Sequence, residues 1–379
     1  MSMKKTLTLL LALVLCLTLS ATALAAFEGY TPVAGDDEVP VNKHLVLDKD
    51  APVPTVTFNF VLRAATDDEL DDNITAGPMT PAAPTASSVT LSSTSGVYTS
   101  AADATGKTEL ASIDWTTKKV VHGTFELDFT GVNFTAPGIY RYVLAEVEGD
   151  LAAVTYDSST KYVDVYVVNG TTEGTLVVDS YIIHDAEESD FTFNTDTTAG
   201  MTVTGKSEGF ENELTTYDLT LQKVLTGNQA NFTDTFEFTI VVTLPTGLTS
   251  TETYTIETVT ETVAVTTDLT FNGASATAVV TLGHNAKIRI SDLPKGTTVT
   301  ITEADSTDLY SVSYVVDGND SVKSSTTGEQ TVNADMAVVF TNTLNGTIPT
   351  GVLLTIAPFA VLMVVGLIGV VVFLKKRKN

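Results

Sequence analysis

Six polar residues stand where strand periodicity predicts core. Read at a period of two, Lys43 shares a face with Val39, Val41, Leu45 and Leu47, and Lys223 with Tyr217, Leu219 and Leu221. Glu146 is in phase with Tyr140, Tyr142 and Leu144, and Glu303 with Val299 and Ile301. Asn212 aligns with Phe210 and Leu214, Asn342 with Val338, Phe340 and Leu344. An ammonium buried without a partner is strongly unfavourable, so two inward lysines call for a chemical reason. Suppose a fold gathers one lysine, one glutamate and one asparagine in a dry site flanked by Phe58 and Phe60, or by Phe236 and Phe238. Burial then favours the neutral forms of both amine and carboxyl. A neutral amine is a nucleophile. A protonated carboxyl can hydrogen-bond the asparagine carbonyl, steady the developing oxyanion and carry a proton to the departing ammonia. The product is a Lys–Asn isopeptide bond, made in a single turnover without cofactor or metal. The plain alternative is a buried Lys–Glu ion pair beside an amide.

The elements that must position these residues are strands. "TVTFNFVL", "GTFELDF", "YRYVLAEV", "YVDVYVV", "DTFEFTIVV", "TTVTITEA" and "MAVVFTNTL" alternate or run β-branched, with Gly, Pro, Asn and Asp between them. Short strands at this spacing predict all-β sandwiches. A weak internal repeat divides the chain. A lysine, a turn-rich spacer and Phe-x-Phe recur at 43–60 and 223–238, "GIYRYVLAEVEG" matches "GTTVTITEAD", and "GFENEL" matches "VFTNTL". Each copy runs Lys, Glu, Asn. The expected domains are 27–215 and 216–346, with an inserted loop over about 66–108 that carries the acidic cluster "DDELDD" and at most one short strand. These carboxylates lack the spacing and glycine turn of a calcium loop.

The two ends are read as export and anchoring signals. Residues 1–26 combine Lys4 and Lys5, an apolar run and small residues at a cleavage spacing, the pattern of a secretory signal peptide. Cys16, the one cysteine, falls inside it, so the mature chain has no disulfide. Residues 347–379 hold "TIPTG", an apolar run from Val352 to Leu374 long enough to span a bilayer, and a basic tail. Residues 27–350 keep all 46 acidic side chains and 14 of the 20 basic ones, a net charge of −32. Such a surface repels nucleic acid and anionic membranes. The histidines, His44, His122, His184 and His284, form no Ser/His/Asp or metal-spaced set, and "HDAEE" at 184–188 reads as a solvated turn.

Thr347, Ile348, Pro349, Thr350 and Gly351, followed by the apolar run and basic tail, resemble the sorting signal of Gram-positive sortases, a variant of the Leu-Pro-x-Thr-Gly pentapeptide. In that family the transpeptidase cuts between Thr and Gly and passes the Thr carbonyl to an amine. The Lys…Phe-x-Phe opening, the Tyr-x-Tyr-x-x-x-Glu strand and the Phe-x-Asn closing strand resemble the streptococcal-type major (backbone) pilins. The resemblance covers nearly all of 36–351 and implies two tandem Ig-like (CnaB-like) domains. It also implies the bonds Lys43–Asn212, with Glu146 as catalyst, and Lys223–Asn342, with Glu303 as catalyst. The protein would be a shaft subunit of a surface pilus, membrane-anchored until sortase processing. Its partners would be the sortase, copies of itself joined head to tail and, further out, minor pilins and host surface ligands. The resembled pilins place the acceptor lysine just before the first closing asparagine, which points to Lys206, with Lys161 as second choice. The alternative function is a monomeric wall-anchored adhesin, with the same domains as a stalk and 66–108 as the contacting element.

Overall fold

Short alternating strands separated by turn residues assemble into two β-sandwiches in tandem, in a computed structural model that describes residues 38–185, 207, 209–346 and 362–363, apart from 72, 261–262 and 305–308. The expected signal peptide, the sorting motif at 347–351, the apolar run beyond it and Lys206 lie outside the described residues, residues 362–363 excepted.

In the first sandwich one sheet is ordered Val154–Thr155, Gly209–Leu214, Glu38–Asp48, Lys118–Asp128 and Thr85–Ala86, with Gly96–Tyr98 also on Lys118–Asp128. The facing sheet is ordered Leu176–Asp185, Thr160–Asn169, Gly138–Glu146 and Phe60–Ala64. In the second sandwich the order is Ile256–Thr258, Lys287–Pro294, Thr216–Thr226, Met336–Thr343 and Ser311–Val316. It faces Val263–Thr267, Ser275–Gly283, Thr235–Thr243, Thr297–Glu303 and Gln330–Val332.

The first and last strands of each sandwich are parallel neighbours, Glu38–Asp48 with Gly209–Leu214 and Thr216–Thr226 with Met336–Thr343. Their contact is close enough to require glycine. A Cβ at Gly209 (φ +154°) would lie 1.8 Å from the Asn42 carbonyl oxygen, and one at Gly227 (φ +105°) would lie 2.1 Å from that of Leu344. The alternation of Thr216–Thr226 explains its setting: Leu219, Leu221, Lys223 and Leu225 are buried, and the intervening residues are only half-buried.

Residues 66–108 depart from the loop expected of them. They form four short strands, Ile74–Ala76, Thr85–Ala86, Val89–Leu91 and Gly96–Tyr98, which extend both sheets and pair with Val56–Phe58. Val89 and Leu91 enter the main core. Ala104 and Leu110 form a second small core with Val46 and Val120 on the outer face of the first sheet. Apolar residues spaced singly among Ser, Thr and Pro supply this burial, so no periodic run announces it.

The acidic cluster is likewise put to structural use. Glu69 receives two hydrogen bonds from Arg63, at 2.7 and 2.6 Å, and caps its own turn through Thr66. Arg141 donates to Asp71 at 2.9 Å, to the Glu69 carbonyl, and to both oxygens of Asp164 at 2.7 and 2.8 Å. His184 stands 3.2 Å from Asp164 and is buried, so "HDAEE" does not begin as a solvated turn but as the end of strand Leu176–Asp185. Burial alone would raise the Asp164 pKa, yet the hydrogen bonds from Arg141 and His184 hold it below the usual carboxylate range. Arg141→Met would leave that carboxylate buried without its guanidinium. We expect a loss of about 3–5 kcal/mol, read by urea unfolding of the variant, and a loss below about 1 kcal/mol would show the pair to be dispensable.

Candidate functional site

Each sandwich brings one lysine, one glutamate and one asparagine together between its sheets. Lys43 and Asn212 lie on the parallel first and last strands, where Lys43 is opposite Phe210 and Asn212 opposite Leu45. Lys223 and Asn342 repeat this register, opposite Phe340 and Leu225. Both glutamates come from the facing sheet, where Glu146 pairs with Phe60 and Glu303 with Phe238. The second phenylalanine of each Phe-x-Phe therefore sits beside the glutamate in its ladder. The first lies beside the amine, with Lys43 Nζ 4.7 Å from the Phe58 ring centre and Lys223 Nζ 4.3 Å from that of Phe236.

The distances within the two sites are nearly the same. Lys43 Nζ donates to Glu146 Oε2 at 2.6 Å, and Asn212 Nδ2 to Glu146 Oε1 at 2.6 Å. Lys223 Nζ donates to Glu303 Oε2 at 2.7 Å, and Asn342 Nδ2 makes a short hydrogen bond to Glu303 Oε1. Both lysines are fully buried. Burial pushes the Lys43 amine down to about 8 against the opposing attraction of Glu146, and it does the same to Lys223 beside Glu303. It also pushes the Glu146 carboxyl up, against the pull of Lys43 and Asn212. Each amine thus faces an amide across a single carboxylate that touches both, ready to take a proton from one and give it to the other.

In one respect the geometry differs from the sequence expectation. The carboxylate accepts from the asparagine nitrogen in both sites, and does not face the carbonyl oxygen. At the first site Asn212 Oδ1 instead accepts the backbone N–H of Asp157 at 2.8 Å. Asn342 Oδ1 is buried and has no hydrogen-bond partner among the described residues. Asp157 lies in "YDSS", a turn-like stretch whose contribution comes from the main chain, so residue type carries no signal for it.

Residues 39–213 match the family described as the Spy0128-like isopeptide containing domain, and residues 217–344 match a domain of unknown function, DUF7601. A protein named Pilin, from Streptococcus pyogenes serotype M1, is 28% identical over 263 residues, covering 67% of this chain and 72% of its own length. These likenesses support a Gram-positive backbone pilin. The fold agrees. The crystal structure of the major pilin from Streptococcus pyogenes superposes with a TM-score of 0.58 at 21% identity, over 83% of this chain and all of the other. The T-13 major pilin gives 0.57 at 21% identity, over 82% and 98% of the two chains. Pilins of this type are cell-surface components of Gram-positive bacteria.

The described residues also bear on the acceptor lysine. Lys161 is only 7% exposed, and its ammonium is bound to Asp185 at 2.6 Å. An amine held in this way is less open to a transpeptidase than a free surface lysine. Lys206 precedes Ser207, whose hydroxyl is bound to Glu109.

Proposed function

We propose that this chain is a pilus shaft subunit that closes two isopeptide bonds within itself, Lys43–Asn212 and Lys223–Asn342, and is joined by a sortase through Thr350 to a lysine of the next copy. One observation carries the reading: the same Lys–Glu–Asn geometry is built twice, from first strand, last strand and facing sheet, in the same register. In each site the glutamate takes a proton from the lysine. The neutral amine attacks the asparagine Cγ, the carboxyl gives its proton to Nδ2, which leaves as ammonia, and the attacking nitrogen passes its own surplus proton to the freed carboxylate. One C–N bond forms and one breaks, and the buried ammonium becomes a neutral amide. Glu146 and Glu303 act once each, so the chain is not a turnover enzyme.

Polymerisation is tested on cells. Boiled SDS extracts of wall material should show a high-mass ladder that collapses to one band when Lys206 is changed to alanine. A single band from the unaltered chain would sink the shaft assignment and favour an anchored monomer. Minor pilins and host surface ligands would meet the finished filament, outside the two sites.

A pH experiment tests the bond itself. Asn212→Ala keeps Lys43 and Glu146 but has no amide to attack. In that variant the lysine ionises near 8 when folded and near 10.5 when unfolded, so the unfolded chain binds the extra proton between those values. Stability must therefore rise with pH, by about 2–3 kcal/mol between about pH 8 and pH 10. Above that range the buried phenol of Tyr142, whose pKa is raised by burial, reverses the slope. The unaltered chain, its amine consumed, should lack the rise. Equal slopes in the two chains would refute bond formation at Lys43.

A further inference from the structure

Among the described residues the two sites differ in what meets the asparagine carbonyl oxygen. Val154–Thr155 pairs antiparallel with Glu213–Leu214 for only two residues. Continued in register, Asp157 would stand opposite Glu211 and its N–H would be spent in the sheet plane. Instead the ladder breaks. The Asp157 carboxylate takes the Glu211 backbone N–H at 3.1 Å and that of Ser159 at 2.8 Å. This frees the Asp157 N–H to turn onto Asn212 Oδ1 at 2.8 Å. The second sandwich offers no such freedom. There the closing strand is bordered by the full strand Ser311–Val316, with Val312 directly opposite Asn342. Donors in an unbroken ladder are directed at the neighbouring strand, not at side chains between the sheets, and Asn342 Oδ1 stays without a partner among the described residues.

We propose that the backbone N–H of Asp157 is the oxyanion donor of the first site, a catalytic group with no counterpart among the described residues of the second. This rests on the bond-forming reading above. The orientation of the Asn212 amide is fixed by its two neighbours, because an N–H can face only the oxygen and the Glu146 carboxylate only the nitrogen. When Lys43 Nζ attacks Cγ, the carbonyl π pair moves onto Oδ1, where this N–H is already placed. Collapse restores the carbonyl and expels Nδ2, which receives through Glu146 the proton that Lys43 gave up. From the ammonium form, lysine and asparagine become a secondary amide, ammonia and one proton, which the attacking nitrogen leaves on Glu146. The donor is held on both sides by its own carboxylate, so it undergoes no reorganisation as charge develops.

The test follows both crosslinks in the full chain, made by cell-free translation, quenched at timed intervals and digested for mass spectrometry of the crosslinked peptides. Asp157→Pro deletes the N–H. It should slow Lys43–Asn212 formation by about 10²–10³-fold, the usual effect of removing one oxyanion donor. Asp157→Asn keeps the N–H while losing the charge, and should slow it by no more than about tenfold. Lys223–Asn342 should form at the same rate in all three chains. If Asp157→Pro closes the first bond as fast as the unaltered chain, or if Asp157→Asn slows it equally, the donor role is overturned. If neither crosslinked peptide appears in the unaltered chain, the bond-forming reading fails instead. Should the proline variant not fold, hydrogen exchange in the unreacted Glu146→Gln chain decides. Protection of the Asp157 amide supports the proposal, and exchange at the rate of a free amide overturns it.

Discussion

Glu303→Ala should return one molecule of ammonia to the mass of the chain and remove most of the stability of the second sandwich. With both bonds closed, the unaltered chain is lighter than its sequence by two ammonia molecules, and intact mass spectrometry reads the difference directly. Two losses then combine. Without the carboxylate no group moves the proton, so the crosslink is absent, and a link closing a loop of this length is worth about 4–5 kcal/mol by analogy with disulfides. The Lys223 ammonium also stays in the core without a partner, and breaking such a buried pair costs about 3–5 kcal/mol. Asn342→Ala separates the two. It too retains the ammonia, aside from the side-chain change, but it keeps the Lys223–Glu303 ion pair at 2.7 Å. It should therefore be the more stable of the two variants by about 3–5 kcal/mol in urea unfolding. An unaltered chain with its full sequence mass would overturn the reading of both sites. Variants of equal stability would show that the ion pair contributes nothing once the bond is lost.

How far the sites could be read from sequence depends on which groups build them. Lys223 was visible because its strand alternates cleanly, and burial follows that alternation from Leu219 to Leu225. Glu303 and Asn342 lie on strands of the same kind, so phase alone predicts inward positions. The outer faces were not legible. Arg141 falls on the outward phase of its strand yet is 2% exposed, because the segment carrying Glu69 and Asp71 folds over it. His44 and Val46 alternate with Lys43 and should meet solvent. They are buried as well, Val46 in the small core with Ala104 and Leu110 and His44 with Tyr98 at 6.4 Å. Periodicity reports one strand and its two faces, and a covering segment without periodicity of its own alters an outer face unannounced. The Asp157 N–H was hidden for a different reason. Every residue except proline has one, and only the break in the ladder at Thr155 makes this one available.

Pulled from its two ends, the unaltered chain should extend without unfolding steps, and Glu303→Ala should add a step of about 400 Å. Tension enters the second sandwich along Thr216–Thr226 and leaves along Met336–Thr343, and these strands are parallel neighbours. A bond from Lys223 to Asn342 joins them directly. The roughly 120 residues between the two positions then lie outside the loaded path, whatever happens to their hydrogen bonds. Without the bond the same load shears the parallel pair, and the released segment extends by about 3.3–3.6 Å per residue. Glu146→Ala should add a longer step, of nearly 600 Å, from the roughly 170 residues between Lys43 and Asn212. Single-molecule force spectroscopy with handles at both ends distinguishes the cases. A step of either length from the unaltered chain would mean that the corresponding bond is open. The register explains the placement: Lys43 opposite Phe210 and Lys223 opposite Phe340 would put each proposed link between the first and last described strands of its sandwich. A link between any other pair of strands would leave part of the loaded path free to unfold. Only a bond between first and last strands removes the fold from the path while adding almost nothing to its length.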